Sequence, residues 1–478
     1  MAYRYGDRSQ MELLPPSIEE YVAQDDPVRV YDAFVETLKL EELGIILEED
    51  KVGNPGYYPK AMIKLVVYGY SYGSTRSSRK LERACYHNVS FIWLMGGLKP
   101  DHKTIARFRK DNKKALKNIL KQCAMLCIKL DLIEGNTLFV DGSKIRANAS
   151  INNIWTQERC ERFLKHIDER IESILAECDK IDEEEENNPS LIKLKGDLKD
   201  KEKLKGKIQN VMNELNEKGL ESMNSTDPDC VKVKSRQGTH SGYNGQIVVD
   251  EKHGLIVNSD VVSESNDSNQ FANQIEQAKE VLGKRCENAC ADAGYTGADD
   301  LKKIDEQGIY VIVPSQEQVH NLPSPPFDKE QFGYDVQNDC YICPEGHNLP
   351  YSSYDKDKNH RVYQISNKNI CLSCRHYGIC TRAKHGRRIR RLVNEETKLK
   401  LKNQYEKEES QRIYKLRKER VELPFGHIKR NLGVSSFLLK GSDGVKAEMS
   451  LLSTCFNIAR MIGILGIPTL MAKVKCLA

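Results

Sequence analysis

Apolar positions recur at helical spacing through roughly the first 135 residues, and each run follows a helix-start signal. Asp26 and Pro27 open "VRVYDAFVETLKLEELG", Pro59 opens "KAMIKLVVYGYSYG", and Ser77 and Ser78 precede "RKLERACYHN". Asp101 caps one long run, "HKTIARFRKDNKKALKNILKQCAMLCIKL", which predicts a single helix. From Asn136 the pattern turns to strands. "NTLFVDGS" reads as a buried strand, and "YNGQIVVDEKHGLIVNSDVVS" as a hairpin turning at 250–254. A helical stretch at 269–282 follows, then strand-like "CENACADAGYTG" and the strand "GIYVIVPS". Three strands, a helix, a strand, a helix and a strand predict a mixed α/β sheet.

Two insertions interrupt that sheet. Residues 155–220 are charged and helical. Their apolar positions are Phe163, Ile167, Ile171, Ile174, Cys178 and Ile181, then, past a break at "NNPS", Leu191, Leu194, Leu198, Leu204, Ile208, Val211 and Leu215. Such spacing predicts two helices packed as an antiparallel hairpin, either a solvated spacer or a partner-binding arm. Residues 316–391 are rich in turns and cysteine. The expected units are an N-terminal helical domain (1–134), a sheet core in two pieces (135–154 and 221–315) with the arm (155–220) between them, the Cys-rich insertion (316–391) and a C-terminal helical part (392–478).

Charge changes this picture little. The chain has 478 residues, of which 30% are charged and 39% hydrophobic, and its net charge is +4. The mean hydropathy of −0.59 predicts a water-soluble protein. Nucleic acid is a permitted partner, so local basic patches carry more information. The run from Lys103 to Lys121, with Arg107 and Arg109, either grips phosphates or forms a solvated lysine face. The opening "MAYRYGDRSQMELLPPS" has no apolar core of a secretory signal. "LLSTCFNIARMIGILGIPTLMA", broken by Asn457, Arg460 and Pro468, reads as an amphipathic or buried helix rather than a membrane span. A cytoplasmic setting is expected, in which 15 cysteines are not disulfides.

Chemistry gathers at two kinds of motif. "LFVDGSKIRANAS" sets Asp141 at a strand end, and "CADAGYTG" repeats that grammar at Asp292. Two such acids on neighbouring strands repel unless a cation lies between them, and oxygen donors of this kind suit Mg²⁺ or Mn²⁺. In "SQRIYKLRKERVELPFGHIKR", Pro424 is expected to end or kink a helix just after Glu422, with Tyr414, Arg417 and Lys429 around it. The second motif is sulfur. Cys340 and Cys343, then Cys371 and Cys374, form two CxxC pairs expected to hold a structural zinc, with Cys380 or His347 as substitute ligands. Arg387, Arg388, Arg390 and Arg391 follow as a candidate phosphate contact.

With its three acids in these contexts, the chain resembles bacterial insertion-sequence transposases of the DDE type. Asp141 matches their first aspartate and Asp292 their second. Glu422 matches the glutamate of a tyrosine–arginine–glutamate–lysine signature, here Tyr414, Arg417, Glu422 and Lys429. The arginine-to-glutamate interval is one residue longer than the common form, which keeps Glu419 as an alternative; the "ELPFGHIK" phrase and the lysine spacing favour Glu422. "YYPKAMIKLVVYGYSYGSTRSSRKLE", "PDHKTIARFRK", "DPDCVKVKSRQGTHSGYNGQIVVDEKHGLIV" and "GSDGVKAEMSLLSTCFNIARMI" extend the resemblance almost end to end.

The resemblance implies an α/β chain with an RNase H-like core that binds two Mg²⁺ or Mn²⁺ ions through Asp141, Asp292 and Glu422. It implies double-stranded DNA as partner, cleavage and strand transfer as reaction, and self-association as a dimer on DNA. Lys144 and Arg146 are expected where a phosphodiester arrives, with Tyr414, Arg417 and Lys429 positioning it. A DNA nuclease with the same core, or a non-catalytic DNA-binding descendant, are the alternatives.

Overall fold

The computed structural model describes residues 17–47, 56–73, 75–182, 189–235, 238–320, 326–356 and 360–477, with side chains given outside 177–195. The opening stretch read for a signal, the break at Asn187 and Asn188, and the side chains of Cys178, Ile181, Leu191 and Leu194 lie outside the described residues.

The N-terminal unit is helical as the pattern predicts: α1 (Val28–Thr37), α2 (Leu40–Leu43), α3 (Pro59–Ser71), α4 (Ser78–His87), α5 (Val89–Leu94), α6 (His102–Asp111) and α7 (Lys113–Lys129). Pro59 occupies the first turn of α3, where its missing N–H costs nothing. The Ser77 and Asp101 side chains cap α4 and α6. The long run after Asp101 is two helices rather than one. Asn112 leaves the helical conformation at φ −108° and ψ 28°, and its side chain donates to the Phe108 carbonyl at 2.9 Å. An asparagine amide that satisfies a helix's last carbonyls competes with the backbone for them and ends the helix there.

The central sheet holds β1 (Thr137–Arg146), β4 (Val231–Ser235), β5 (Gly238–Asp250), β6 (Ile256–Val262), β7 (Asn288–Cys290) and β8 (Tyr310–Ile312). A short pair, β2 (Ile154–Trp155) with β3 (Met223–Asn224), closes the base of the arm. β5 pairs antiparallel with β1, β4 and β6, whereas β1, β7 and β8 run parallel. The hairpin expected at 250–254 is the β5–β6 turn. The arm helices α8 (Gln157–Asp182) and α9 (Pro189–Lys218) pack through Cys160, Ile167, Ile208 and Leu215, and Lys205 reaches Asp168 at 2.6 Å. This pairing of early with late residues makes the hairpin antiparallel.

α10 (Phe271–Leu282) and α11 (Ala298–Asp305) connect the later strands. The insertion begins at α12 (Gln316–His320) and builds a separate antiparallel sheet from β9 (Gly333–Asp335), β10 (Cys340–Ile342), β11 (Asn348–Asp355), β12 (His360–Gln364) and β13 (Arg388–Leu392), with α13 (Lys368–Leu372) between the last two. Phe332, Tyr341, Leu349, Tyr363, Ile365 and Ile389 form its own small core. The chain returns through α14 (Glu395–Tyr405), α15 (Glu408–Gly426), α16 (Ser442–Leu465) and α17 (Ile467–Leu477).

α16 is long and apolar enough to cross a membrane, yet it is the buried spine of this fold, packed against α7, α3 and β6. Its polar residues explain that placement. Asn457 exchanges two 2.8 Å hydrogen bonds with the backbone of Ile256 and so continues the β6 edge. Glu448, fully buried, accepts from Arg76 at 3.0 Å and from the Leu438 and Leu439 amides at 2.8 and 2.9 Å. That network ties the N-terminal helices to the C-terminal ones.

Candidate active site

Leu138, Phe139 and Val140 bury β1 in the sheet, and Asp141 follows them where the burial gives way. On the neighbouring parallel strand, Ala289, Cys290 and Ala291 do the same for Asp292. Phe139 pairs with Cys290, so each aspartate stands two residues beyond the same rung. Register therefore brings the two acids together just past the last rung that the parallel strands share; Asp292 lies beyond the end of β7, whereas Asp141, expected at a strand end, lies within β1, which runs on to Arg146 against β5.

A cation from far along the chain meets them. Arg417 on α15 places Nη1 3.3 Å from Asp141 Oδ1 and Nη2 3.9 Å from Asp292 Oδ2. Burial pushes the Asp141 carboxyl up to about 7 against the pull of Arg417, and the charges of Asp292 and Asp267 push the same way. Burial works against the charge on Arg417 too, but the two aspartates hold its proton more firmly than usual. The guanidinium lies over the Tyr414 ring at 5.5 Å, and Tyr405 meets that ring edge-on at 5.2 Å. Lys429 donates to Ser143 Oγ at 2.5 Å, which brings the signature lysine to the strand of Asp141.

Glu422 is placed otherwise than expected. Pro424 does not end the helix: α15 continues to Gly426 and passes directly into a π-helical turn, His427–Asn431. Glu422 thus sits within the helix, and five residues after Arg417 it lies about 140° round the axis. It is exposed and takes no hydrogen bond or ion pair among the described residues, and Glu419 is exposed as well.

Lys144 and Arg146 leave the Asp141 face because side chains alternate along a strand. Lys144 pairs instead with Asp267 at 3.3 Å. Arg146 is exposed, and its carbonyl accepts from the Phe437 amide at 2.9 Å. Asp267, in the polar loop between β6 and α10, has no signature in the sequence. It also accepts from Asn244 at 2.7 Å and Gln246 at 2.8 Å. "SESNDSNQ" has the composition of an ordinary loop, and nothing in it signals an acid drawn in beside two others.

Of the basic candidates, Arg107 is exposed, but Arg109 is buried and donates to the Arg76 carbonyl at 2.7 Å, inside the helical unit. The arginine cluster splits by strand alternation. Arg388 and Arg390 are exposed on β13, whereas Arg391 is buried over the Tyr334 ring at 3.7 Å. Arg387 donates to the carbonyls of Cys380 at 2.7 Å and Phe327 at 2.9 Å.

The structure brings together only part of the expected cysteine set, together with the substitutes Cys380 and His347. Cys340 lies buried in β10, and three residues of extended chain send Cys343 to the opposite side. Cys343, Cys371 and Cys374 line a small apolar pocket together with Cys380 and His376, without Cys340. Among the described residues no group of three or more His, Cys, Asp or Glu side chains is set to hold a metal ion.

Residues 16–111 match a family model described as "Transposase domain (DUF772)", and residues 342–462 match one described as "Transposase DDE domain". No curated protein and no solved structure matches the chain. These two matches, one over the N-terminal helices and one from the last residue of β10 into α16 that takes in Arg417, Glu422 and Lys429, indicate an insertion-sequence transposase of the DDE type.

Proposed function

We propose that this transposase cleaves and rejoins DNA at the centre formed by Asp141 and Asp292, on an RNase H-like core. The observation that carries the reading is the convergence of two carboxylates, each two residues past the same rung of β1 and β7, on a single guanidinium. The sheet supports the core assignment: an antiparallel β6–β5–β1 part continues into the parallel β1–β7–β8 part, with helices after the later strands.

The donor set fits a hard divalent cation such as Mg²⁺ or Mn²⁺. Two carboxylates with water and substrate phosphate suffice for Mg²⁺, and Arg417 shows that the pair already attracts positive charge at that point. Asp141 and Asp292 would hold it, with Glu422, exposed on α15, proposed as the third carboxylate; when bound, such an ion activates an attacking oxygen and stabilises a leaving one. The side chains contribute the rest. Arg417 keeps the two acids from driving each other apart, and Lys429, beside Ser143, supplies a cation for a phosphate lying across β1. In the reaction, water or a DNA 3′-hydroxyl forms a new P–O bond as the opposite P–O bond breaks, and the leaving oxygen departs with the strand end. Excision requires this at two ends, so two protomers are proposed to meet on paired DNA ends.

The test uses duplexes carrying the DNA that flanks the element. Asp141→Ala and Asp292→Ala should each abolish nicking and joining while the protein still binds duplex. Glu422→Ala should do the same and Glu419→Ala should not; the reverse result would move the third acid to Glu419. Full cleavage by both aspartate variants would end the reading.

A further inference from the structure

Resting on that reading, we infer that Asp267 is a positioning residue of the active centre: it locks the β1 backbone beside Asp141 to the turn after Asp292. Asp267 lies against both segments. A Cβ built on Gly142, the residue after Asp141, would collide with Asp267 Oδ1 and stand 2.5 Å from Gln246 Nε2. A Cβ built on Gly294, two residues after Asp292, would stand 2.9 Å from Asp292 Oδ1 and 3.7 Å from the Asp267 Cβ. Gly142 and Gly294 therefore leave room for one carboxylate to sit against both acid-bearing segments.

That carboxylate is fixed in place. Asn244, Gln246 and Lys144 donate to Oδ1 at 2.7, 2.8 and 3.3 Å. Asn244 and Gln246 are fully buried on β5, and Lys144 comes from β1, so the donors belong to the sheet while the acceptor belongs to a loop. The arrangement continues towards Asp292, because the Tyr295 hydroxyl donates to the Gln246 Oε1. One chain of contacts thus runs Gly142, Asp267, Gln246, Tyr295 and spans both acid-bearing segments.

Position explains why a buttress is needed here. Asp141 stays paired with β5, but the β1–β7 ladder ends at Phe139 and Cys290, so no rung between those two strands sets the separation of Asp141 and Asp292. Two carboxylates that share a cation must be held at a fixed distance, and packing and hydrogen bonds around them do this when the backbone does not. Asp267 and its donors lie on the Gly142 and Lys144 face of β1, opposite the Asp141 side chain, so they set the pair's geometry without occupying its opening.

The experiment reads metal binding directly, on the full chain without DNA. Mn²⁺ is titrated into wild type, Asp141→Ala, Asp267→Asn and Gly142→Ala, by electron paramagnetic resonance of free Mn²⁺, and thermal unfolding is followed in parallel. Asp267→Asn should weaken Mn²⁺ binding by roughly 10- to 100-fold, the effect of losing a group that orients metal ligands, with its unfolding temperature nearly unchanged. Gly142→Ala keeps every charge but unseats Asp267, and should weaken binding in the same direction. It stands in should Asp267→Asn fail to fold. Wild-type Mn²⁺ affinity in both variants, alongside loss of binding in Asp141→Ala, would overturn the role of Asp267 and leave the centre intact. Undiminished binding in Asp141→Ala would overturn the centre itself, and the role of Asp267 with it.

Discussion

Just past the last rung shared by β1 and β7 two acids meet; Cys340 in β10 and Cys343 just after it do not share a pocket. The difference lies in what each pair spans. Asp141 and Asp292 sit on separate parallel strands at equal distance beyond one rung, so backbone register delivers them to the same point. Cys340 and Cys343 sit along one extended segment, where an odd separation reverses the side chain. A CxxC pair closes on a metal when it turns in a tight knuckle. The Cys371 to Cys374 segment does turn, from α13 into the bend after it, and both of its thiols line the same pocket with Cys343 and Cys380. Motif spacing carries chemistry only once the local backbone is known.

The sharpest way to break this comparison is to remove the cation that joins the acids. Arg417 is mostly buried, with 13% of its side chain exposed, so Arg417→Ala strands two facing carboxylates beside an empty volume. Cleavage should fall by orders of magnitude. Loss of a partner from a well-buried pair costs about 3–5 kcal/mol, and a smaller loss of about 2 kcal/mol is expected here because Asp292 remains partly open to solvent. Arg417→Lys should restore part of the stability and little of the activity, since one ammonium cannot reach both carboxylates in the same fork. Urea unfolding and a nicking assay on the same preparations check this; unchanged stability in Arg417→Ala would mean that the acids do not depend on it.

The cysteine side of the comparison is sharpened by Cys340→Ser against Cys380→Ser. Cys340 is buried in its strand, and exchange for serine puts an unpaired hydroxyl there at a cost of about 1–3 kcal/mol. Its loss should leave the pocket thiols reacting with a thiol reagent as in wild type. Cys380→Ser alters the pocket itself and should change the reactivity of Cys343, Cys371 and Cys374. Equal effects of the two substitutions on those thiols would contradict the separation of Cys340 from the pocket.

Much of the architecture was legible because it depends on period. The buried strand before Asp141, the β5–β6 hairpin, the strand–helix alternation and the arm all follow apolar spacing, and both aspartates stand where that spacing stops. Three features were not legible. Asn112 splits a helix through a side-chain hydrogen bond that competes with a periodic pattern running straight through it. Pro424 is absorbed because α15 opens into a π-helical turn rather than stopping, which leaves Glu422 within a helix. Asp267 is recruited by tertiary contacts with β5, and no local pattern records those.

The smallest expected effect separates the arginines of β13, whose sequence run resembles one basic patch but whose side chains serve two faces. Arg391 is buried, stacks on Tyr334 and reaches Glu396 at 3.2 Å and the Tyr341 hydroxyl at 3.2 Å. Arg391→Ala should destabilise the insertion by about 1–3 kcal/mol through weaker packing and missing hydrogen bonds, and leave the salt dependence of duplex binding unchanged. Arg388 and Arg390 are exposed, so Arg388→Ala with Arg390→Ala should shift stability by no more than about 0.5 kcal/mol. If both touch phosphates, the slope of log affinity against log salt should flatten by about 0.9 for each phosphate that is no longer neutralised. An unchanged slope in that double variant would make the exposed pair plain solvated surface. A slope that flattened in Arg391→Ala instead would mean that DNA binding opens the insertion and exposes the residue now packed within it.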